Sequence, residues 1–218
     1  MQEEMGSFSN AEGSAIVFRM IEAIKENKQY LSDIDGAIGD GDHGINMNKG
    51  FSMTREALGQ DPGDLAHGFS TLGKILMMRI GGSMGPLYGM IFKRMGKTLA
   101  GHDRIDAVLF GQALTSIREG LSSLTQAGVG DKTLVDALYP AIEAYEESLE
   151  TGADFRDALI TMKKAAEKGR DSTEAMVAKL GRSSRLGERS KGVVDAGAAS
   201  CALLIGVMAD TISELLAD

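Results

Sequence analysis

Apolar residues recur along this chain at three- and four-residue intervals, the period that gathers them on one face of an α-helix. Alternation of β-branched and polar residues, the mark of a half-buried strand, is rare. The pattern predicts an all-α fold. A first helix is announced by Ser9-Asn10-Ala11-Glu12, which has the form of a capping box, and carries the stripe Phe18, Ile21, Ile24, Tyr30 and Leu31 before ending near Asp33. Seven further periodic segments follow, at about 45–58, 63–79, 86–100, 104–124, 131–149, 153–180 and 195–216. Eight helices with short, glycine-bearing connections favour antiparallel neighbours in an up-and-down barrel or bundle. No linker divides residues 1–218, so one domain is expected.

Three polar, glycine-rich loops interrupt the helical pattern, at 35–44, 81–85 and 181–197. With strict alternation of direction, loops separated by an even number of helices emerge at the same end. The first two therefore share one rim. The third joins them if 153–180 is a single helix, and moves to the far end if that segment is two.

Composition narrows the partners. The apolar fraction of 43% is ample for a buried core in 218 residues. A net charge of −8 repels a nucleic-acid backbone or an anionic membrane, so any phosphate is expected to be held locally and with a metal's help. Cys201 stands in an apolar run, as a buried structural thiol would, and the 13 methionines suit flexible core packing. The acidic start Met1-Gln2-Glu3-Glu4-Met5 lacks the basic and apolar stretches of a signal peptide. The longest apolar run, 196–209, is shorter than the ~20 residues of a spanning helix. Cytoplasm, with no membrane and no nucleic acid as partner, is the expectation.

The densest chemistry lies in Asp35-Gly36-Ala37-Ile38-Gly39-Asp40-Gly41-Asp42-His43-Gly44, where three carboxylates fall within eight residues. Anions so close repel one another unless a hard cation neutralises them. Mg2+ takes oxygen ligands and leaves positions for water and phosphates. Rival motifs fail on the letters. Gly39–Gly44 fits a dinucleotide fingerprint, but no strand precedes it and its carboxylates would face a pyrophosphate. An EF-hand starting at Asp40 needs Glu where Phe51 stands. Gly68–Ile75 nearly matches a P-loop, but Ile75 replaces the metal-binding hydroxyl.

Several blocks in fixed order, Gly39–Gly44 with Asn46, Gly81–Gly89, Gly130-Asp131-Lys132-Thr133 with Asp136, and Gly181-Arg182-Ser183 through Asp195-Ala196-Gly197-Ala198, resemble the L subunit of the dihydroxyacetone kinase family. The resemblance implies an eight-helix antiparallel barrel with ADP or ATP bound at one end. It implies two Mg2+ ions on Asp35, Asp40 and Asp42, and phosphates lined by His43, Gly44 and Asn46 at a helix start. Ser83 and Met84 match the glycine-rich phosphate and nucleoside loop, Leu134 would lie against adenine, and Arg182 with Asp195 and Gly197 would complete the site. The chain departs from the family in its last block, where Val193 and Ala196 replace the usual His and Pro.

By the same resemblance the acceptor ketone is bound on a separate K subunit, so the chain is expected to be inactive alone. One family variant consumes ATP. The other retains ADP, which a phosphotransferase-system protein rephosphorylates, and a free-standing L chain leans towards it. A homodimer, an acceptor other than dihydroxyacetone, and a non-catalytic nucleotide-sensing co-regulator stay open. A helical prenyl synthase also uses rim aspartates, but it needs two Asp-rich helical motifs, and this chain has one loop motif and no Trp.

Overall fold

The computed structural model describes residues 6–59 and 63–216; the acidic Met1–Met5 stretch weighed as a signal sequence lies outside them. Among the described residues nine α-helices dominate: α1 (Ser14–Glu26), α2 (Lys28–Ile38), α3 (His43–Leu58), α4 (Leu65–Arg79), α5 (Met84–Leu99), α6 (Ala107–Ser122), α7 (Val135–Glu150), α8 (Phe155–Ser172) and α9 (Ala196–Leu215). Consecutive helices pack side by side from α3 to α9, and α9 returns onto α1.

The helical reading needs several corrections. The first predicted helix is two, parted at Asn27, whose side-chain amide turns back onto the Ala23 carbonyl at 2.9 Å. α2 then continues past Asp33 to Ile38, which places Asp35 on a helix rather than in a loop. Tyr30, expected in the apolar stripe, is exposed because α2 turns its face after the break. The Ser9-Asn10-Ala11-Glu12 signal does not cap a helix: α1 begins at Ser14 after an uncapped Gly13.

Ser9 instead ends a short strand, β1 (Ser7–Ser9), which pairs antiparallel with β2 (Arg104–Asp106) with Phe8 opposite Ile105. Both residues are buried. Three residues of alternation were too few to read as strands, and the segment predicted as helix 104–124 therefore starts three residues late. Asn10 is buried and acts as a staple: its amide donates to the Leu99 and His102 carbonyls and its oxygen accepts from the Ala66 N–H. Buried polar groups persist when paired in this way.

The segment predicted as helix 153–180 ends at Ser172, followed by a 3-10 turn and an irregular strap that carries a second 3-10 stretch at Ser183–Ser190. Because 155–172 is one helix, the third loop rises at the same end as the other two. The core packs Met20, Met95, Met162 and Met208 with Phe92, Leu114, Ile142 and Ile205, and Phe110, Tyr145 and Phe155 meet tilted or edge-on with ring centres 5.5–6.3 Å apart. Cys201 is buried here, its thiol pushed up to about 12 first by burial and then by Asp195. α9, at 20 residues, is apolar and long enough to cross a membrane on those grounds alone, which the run 196–209 did not suggest; 67% of its most apolar 18-residue stretch is buried inside the protein.

Candidate nucleotide and metal site

The helix starts differ in whether an N-cap side chain meets their first-turn amides. α4, α6, α8 and α9 are each capped by an aspartate whose carboxylate accepts an N–H of the first turn: Asp64, Asp106, Asp154 and Asp195. α3 and α5 start at Asp42 and Ser83 without such a bond. Asp42 would cap α3 by its residue type, but its carboxylate joins Asp35 and Asp40 instead. One oxygen from each of the three lies within 4.8 Å of the others.

Local geometry makes this convergence unavoidable. Gly41 turns the chain at φ +76°, a region that favours glycine, and so reverses α2 into α3 within four residues. Gly44 lets α3 press against α2: a Cβ there would overlap the Lys28 carbonyl oxygen. Asp35 accepts the His43 N–H at 3.2 Å, which locks the end of α2 to the start of α3. Asn46 lies one turn on, half-buried, its N–H given to the Asp42 carbonyl.

The strap supplies a cation. The Arg182 guanidinium pairs with Asp40 and stands 3.6 Å from Asp42. Three carboxylates and one guanidinium still leave negative charge unbalanced, and the ligand oxygens lie close enough to share hard cations, so the residues present fit Mg2+.

His43 points away from the carboxylates. Its Nε2 meets the Ser200 hydroxyl at 2.8 Å, Ser200 meets the Tyr88 hydroxyl at 2.6 Å, and Tyr88 donates to the Gly197 carbonyl at 3.1 Å. This relay ties the starts of α3, α5 and α9 together, and through it Ser83 and Met84, at the head of α5, join the same rim. His43 thus contributes its backbone to the rim, while its ring holds the helices in register. Leu134, buried at the head of α7, lies against Gly197, where an added Cβ would sit 3.4 Å from its own. Asp195 caps α9 through the Ala198 N–H at 2.8 Å. Val193 takes part through its carbonyl, which accepts from Lys132 Nζ at 2.7 Å.

Two of these groups titrate in opposite senses. Burial pushes His43 from its ordinary 6.5 down to about 4, against the pull of Asp35. Burial pushes Asp195 from 3.8 up to about 6; the Ala198 N–H and Lys132 oppose this, and Asp136 and Asp35 reinforce it. His43 therefore withdraws stability as pH falls from 6.5 to 4, where only the unfolded chain takes up the proton. Asp195 withdraws it as pH rises from about 4 to 6. Between pH 4 and 6 the two offset. In metal-free His43→Gln only the Asp195 contribution remains, and urea unfolding should show stability falling by roughly 2 kcal/mol over that range while the wild type stays nearly level. A level profile in the variant would contradict this balance.

Residues that the motif reading quoted but gave no role are also built in. Asp136, buried, accepts from the Gly130 and Thr133 N–H groups at 2.5 and 2.7 Å and shapes the turn before α7. Lys132, also buried, reaches three carbonyls of the strap. Their density in one short block was the only signal, since neither burial nor a distant carbonyl partner is written in local sequence.

The DAK2 domain matches residues 37–210. The chain is 38% identical over 191 residues to the PEP-dependent dihydroxyacetone kinase 1, ADP-binding subunit DhaL, of Listeria innocua, covering 87% of this chain and 90% of that one. It is 36% identical over 193 residues to the PTS-dependent dihydroxyacetone kinase, ADP-binding subunit DhaL, of Lactococcus lactis, covering 88% and 92%. The dihydroxyacetone kinase of C. freundii superposes with a TM-score of 0.65 at 22% identity, over 94% of this chain and 35% of that longer one, and speaks for the fold. With Asp40, Asp42 and the loops of the rim in the matched region, the chain belongs to the DAK2 domain family, among the L subunits of dihydroxyacetone kinase.

Proposed function

We propose that this chain is the ADP-binding, phosphoryl-transferring subunit of a phosphotransferase-system-linked dihydroxyacetone kinase. ADP stays bound as a cofactor and is rephosphorylated to ATP by a partner protein; the γ-phosphoryl group of that ATP passes to the hydroxyl of a small ketose held by a separate K subunit, leaving ADP in place. The observation that carries this reading is the convergence of Asp35, Asp40 and Asp42 with Arg182 at the uncapped start of α3. The free-standing relatives in Listeria innocua and Lactococcus lactis, similar over nearly their whole length, support the phosphotransferase-linked form.

Asp35, Asp40 and Asp42 would hold two Mg2+ ions, which neutralise nucleotide phosphates and the charge of the transferring group. The Gly44 N–H in the first turn of α3 and those of α5 at Ser83 and Met84 are available to phosphate oxygens, while His43, its N–H held by Asp35, and Asn46, its N–H held by the Asp42 carbonyl, line the same helix start. Leu134 and Gly197 offer an apolar, close-fitting wall to the adenine. Arg182, already beside two of the carboxylates, is within reach of a transferring phosphoryl group and can balance its charge. No residue here needs to act as general base, because the acceptor hydroxyl arrives on another subunit. The rim also exposes Ile45, Met78, Leu124, Val129 and Leu180 at helix ends and loops around the site, an apolar ring suited to docking that subunit. Taking α1 and α2 as one kinked stave gives eight staves closed by α9 on α1, in line with an eight-helix barrel open at this rim. A cytoplasmic location fits an enzyme that works with phosphotransferase proteins.

Calorimetric titration of ADP into the metal-stripped chain, with and without Mg2+, tests the site. Tight binding that requires Mg2+ is expected, followed by phosphoryl transfer to dihydroxyacetone once the K subunit and phosphoryl donor are added. Absence of ADP binding under every condition would overturn the proposal. Retained ADP without transfer would redirect the search to another ketose or to a sensing role.

A further inference from the structure

The strap from Met176 to Val193 carries Arg182, yet its only regular structure is the 3-10 stretch Ser183–Ser190. Most of its side chains are exposed or half-exposed, so packing contributes little to its shape. Two buried groups gather it: the Ser190 hydroxyl, which accepts the Ala178 N–H at 2.9 Å, and an ammonium that reaches three of its carbonyls. Lys132, 1% exposed, sends Nζ to the carbonyls of Ser190 at 2.6 Å, Val193 at 2.7 Å and Met176 at 3.2 Å. Three carbonyl dipoles aimed at one point repel one another, and the three protons of an ammonium satisfy all of them. The lysine backbone sits at φ +62°, the only positive value of a non-glycine among the described residues. A conformation this uncommon persists where its surroundings hold it, and here the Asp136 carboxylate grips the N–H groups on both sides, of Gly130 and Thr133.

We propose that Lys132 is a positioning residue for phosphoryl transfer: by drawing the Met176, Ser190 and Val193 carbonyls together it sets the strap so that Arg182 reaches Asp40 and Asp42. The same turn leads directly into Leu134, so Lys132 joins the wall offered to the base and the cation offered to the phosphates into one rigid piece. Other links between turn and strap lie nearer the surface: the exposed Lys179 side chain pairs with Asp131 at 3.0 Å, and the Lys179 N–H reaches the Asp131 carbonyl at 3.2 Å. Lys132 is the buried link. The inference rests on the nucleotide reading of the Arg182 site.

The test uses the full-length chain, with Mg·ADP affinity from calorimetry and Mn2+ binding, without nucleotide, from electron paramagnetic resonance. Lys132→Met is expected to keep its helix content, to lower Mg·ADP affinity about five- to tenfold as Arg182→Ala does, and to bind Mn2+ alone more tightly because the guanidinium no longer occupies the carboxylates. On an Arg182→Ala background it should add almost nothing. In Lys132→Ala, ammonium chloride should restore Mg·ADP affinity where tetramethylammonium chloride at equal ionic strength does not. Unchanged affinity in Lys132→Met, losses that add fully to those of Arg182→Ala, or collapse of helix content in both Lys132 variants would each overturn the proposal. If the wild type itself fails to bind Mg·ADP, the site reading falls with it; if the wild type binds and Lys132→Met matches it, only this inference falls.

Discussion

Asp40→Ala is expected to weaken Mg2+-dependent ADP binding by more than about a hundredfold while leaving the helices intact. The reason lies in the separation of roles at this residue. Asp40 falls between α2 and α3, its side chain is 45% exposed, and its partner is the Arg182 guanidinium. An exposed pair of this kind contributes ~0–1 kcal/mol to folding, and losing it is offset by relief of repulsion from Asp35 and Asp42. Stability should therefore change little. Metal affinity should change greatly, because oxygen ligands are the whole attraction for a hard cation and loss even of groups supporting ligands costs about 10- to 100-fold. Calorimetry with and without Mg2+, alongside thermal unfolding, separates the two. Mg2+-dependent binding retained within about fivefold would remove Asp40 from the metal site.

The second large effect is expected at Arg182, with opposite signs in two measurements. Arg182→Ala should slow single-turnover phosphoryl transfer, measured with the K subunit present, by about a thousandfold, the scale of a guanidinium balancing charge on a transferring phosphoryl group. Mg·ADP binding should fall only about five- to tenfold, since metal ligands and backbone amides remain. Mn2+ alone should bind more tightly than to the wild type, because in the free protein the guanidinium lies on Asp40 and beside Asp42, where it competes with a cation. A merely structural arginine would move all three readings in one direction. Transfer within tenfold of the wild type would show that Arg182 does not face the reacting phosphoryl group.

Much of the site could be read from the chain because its parts lie close in sequence. Asp35, Asp40 and Asp42, with the turn at Gly41, need only local geometry to converge, and they do. Arg182, Asp195 and Leu134 are far apart in sequence, and only family resemblance linked them to the cluster. The second role of His43, that of its ring, could not be read: it turns inward to Ser200, a partner 157 positions away. Lys132 and Asp136 were visible as letters in a dense block, but what each holds depends on a strap that returns from the end of α8. The first helix was drawn too long because periodicity does not register the break at Asn27, and the capping signal at Ser9–Glu12 misled because Asn10 bonds across the fold instead of along the chain.

The sequence alone determined the helical class, the direction changes at glycine and the acidic cluster, since each follows from contacts between residues a few positions apart. The tertiary structure decided where α1 starts and α8 stops, which helix starts an aspartate caps, where the His43 ring points, and which strap carbonyls one buried lysine gathers. Those features depend on burial and on partners distant in the chain, and local sequence carries no record of either.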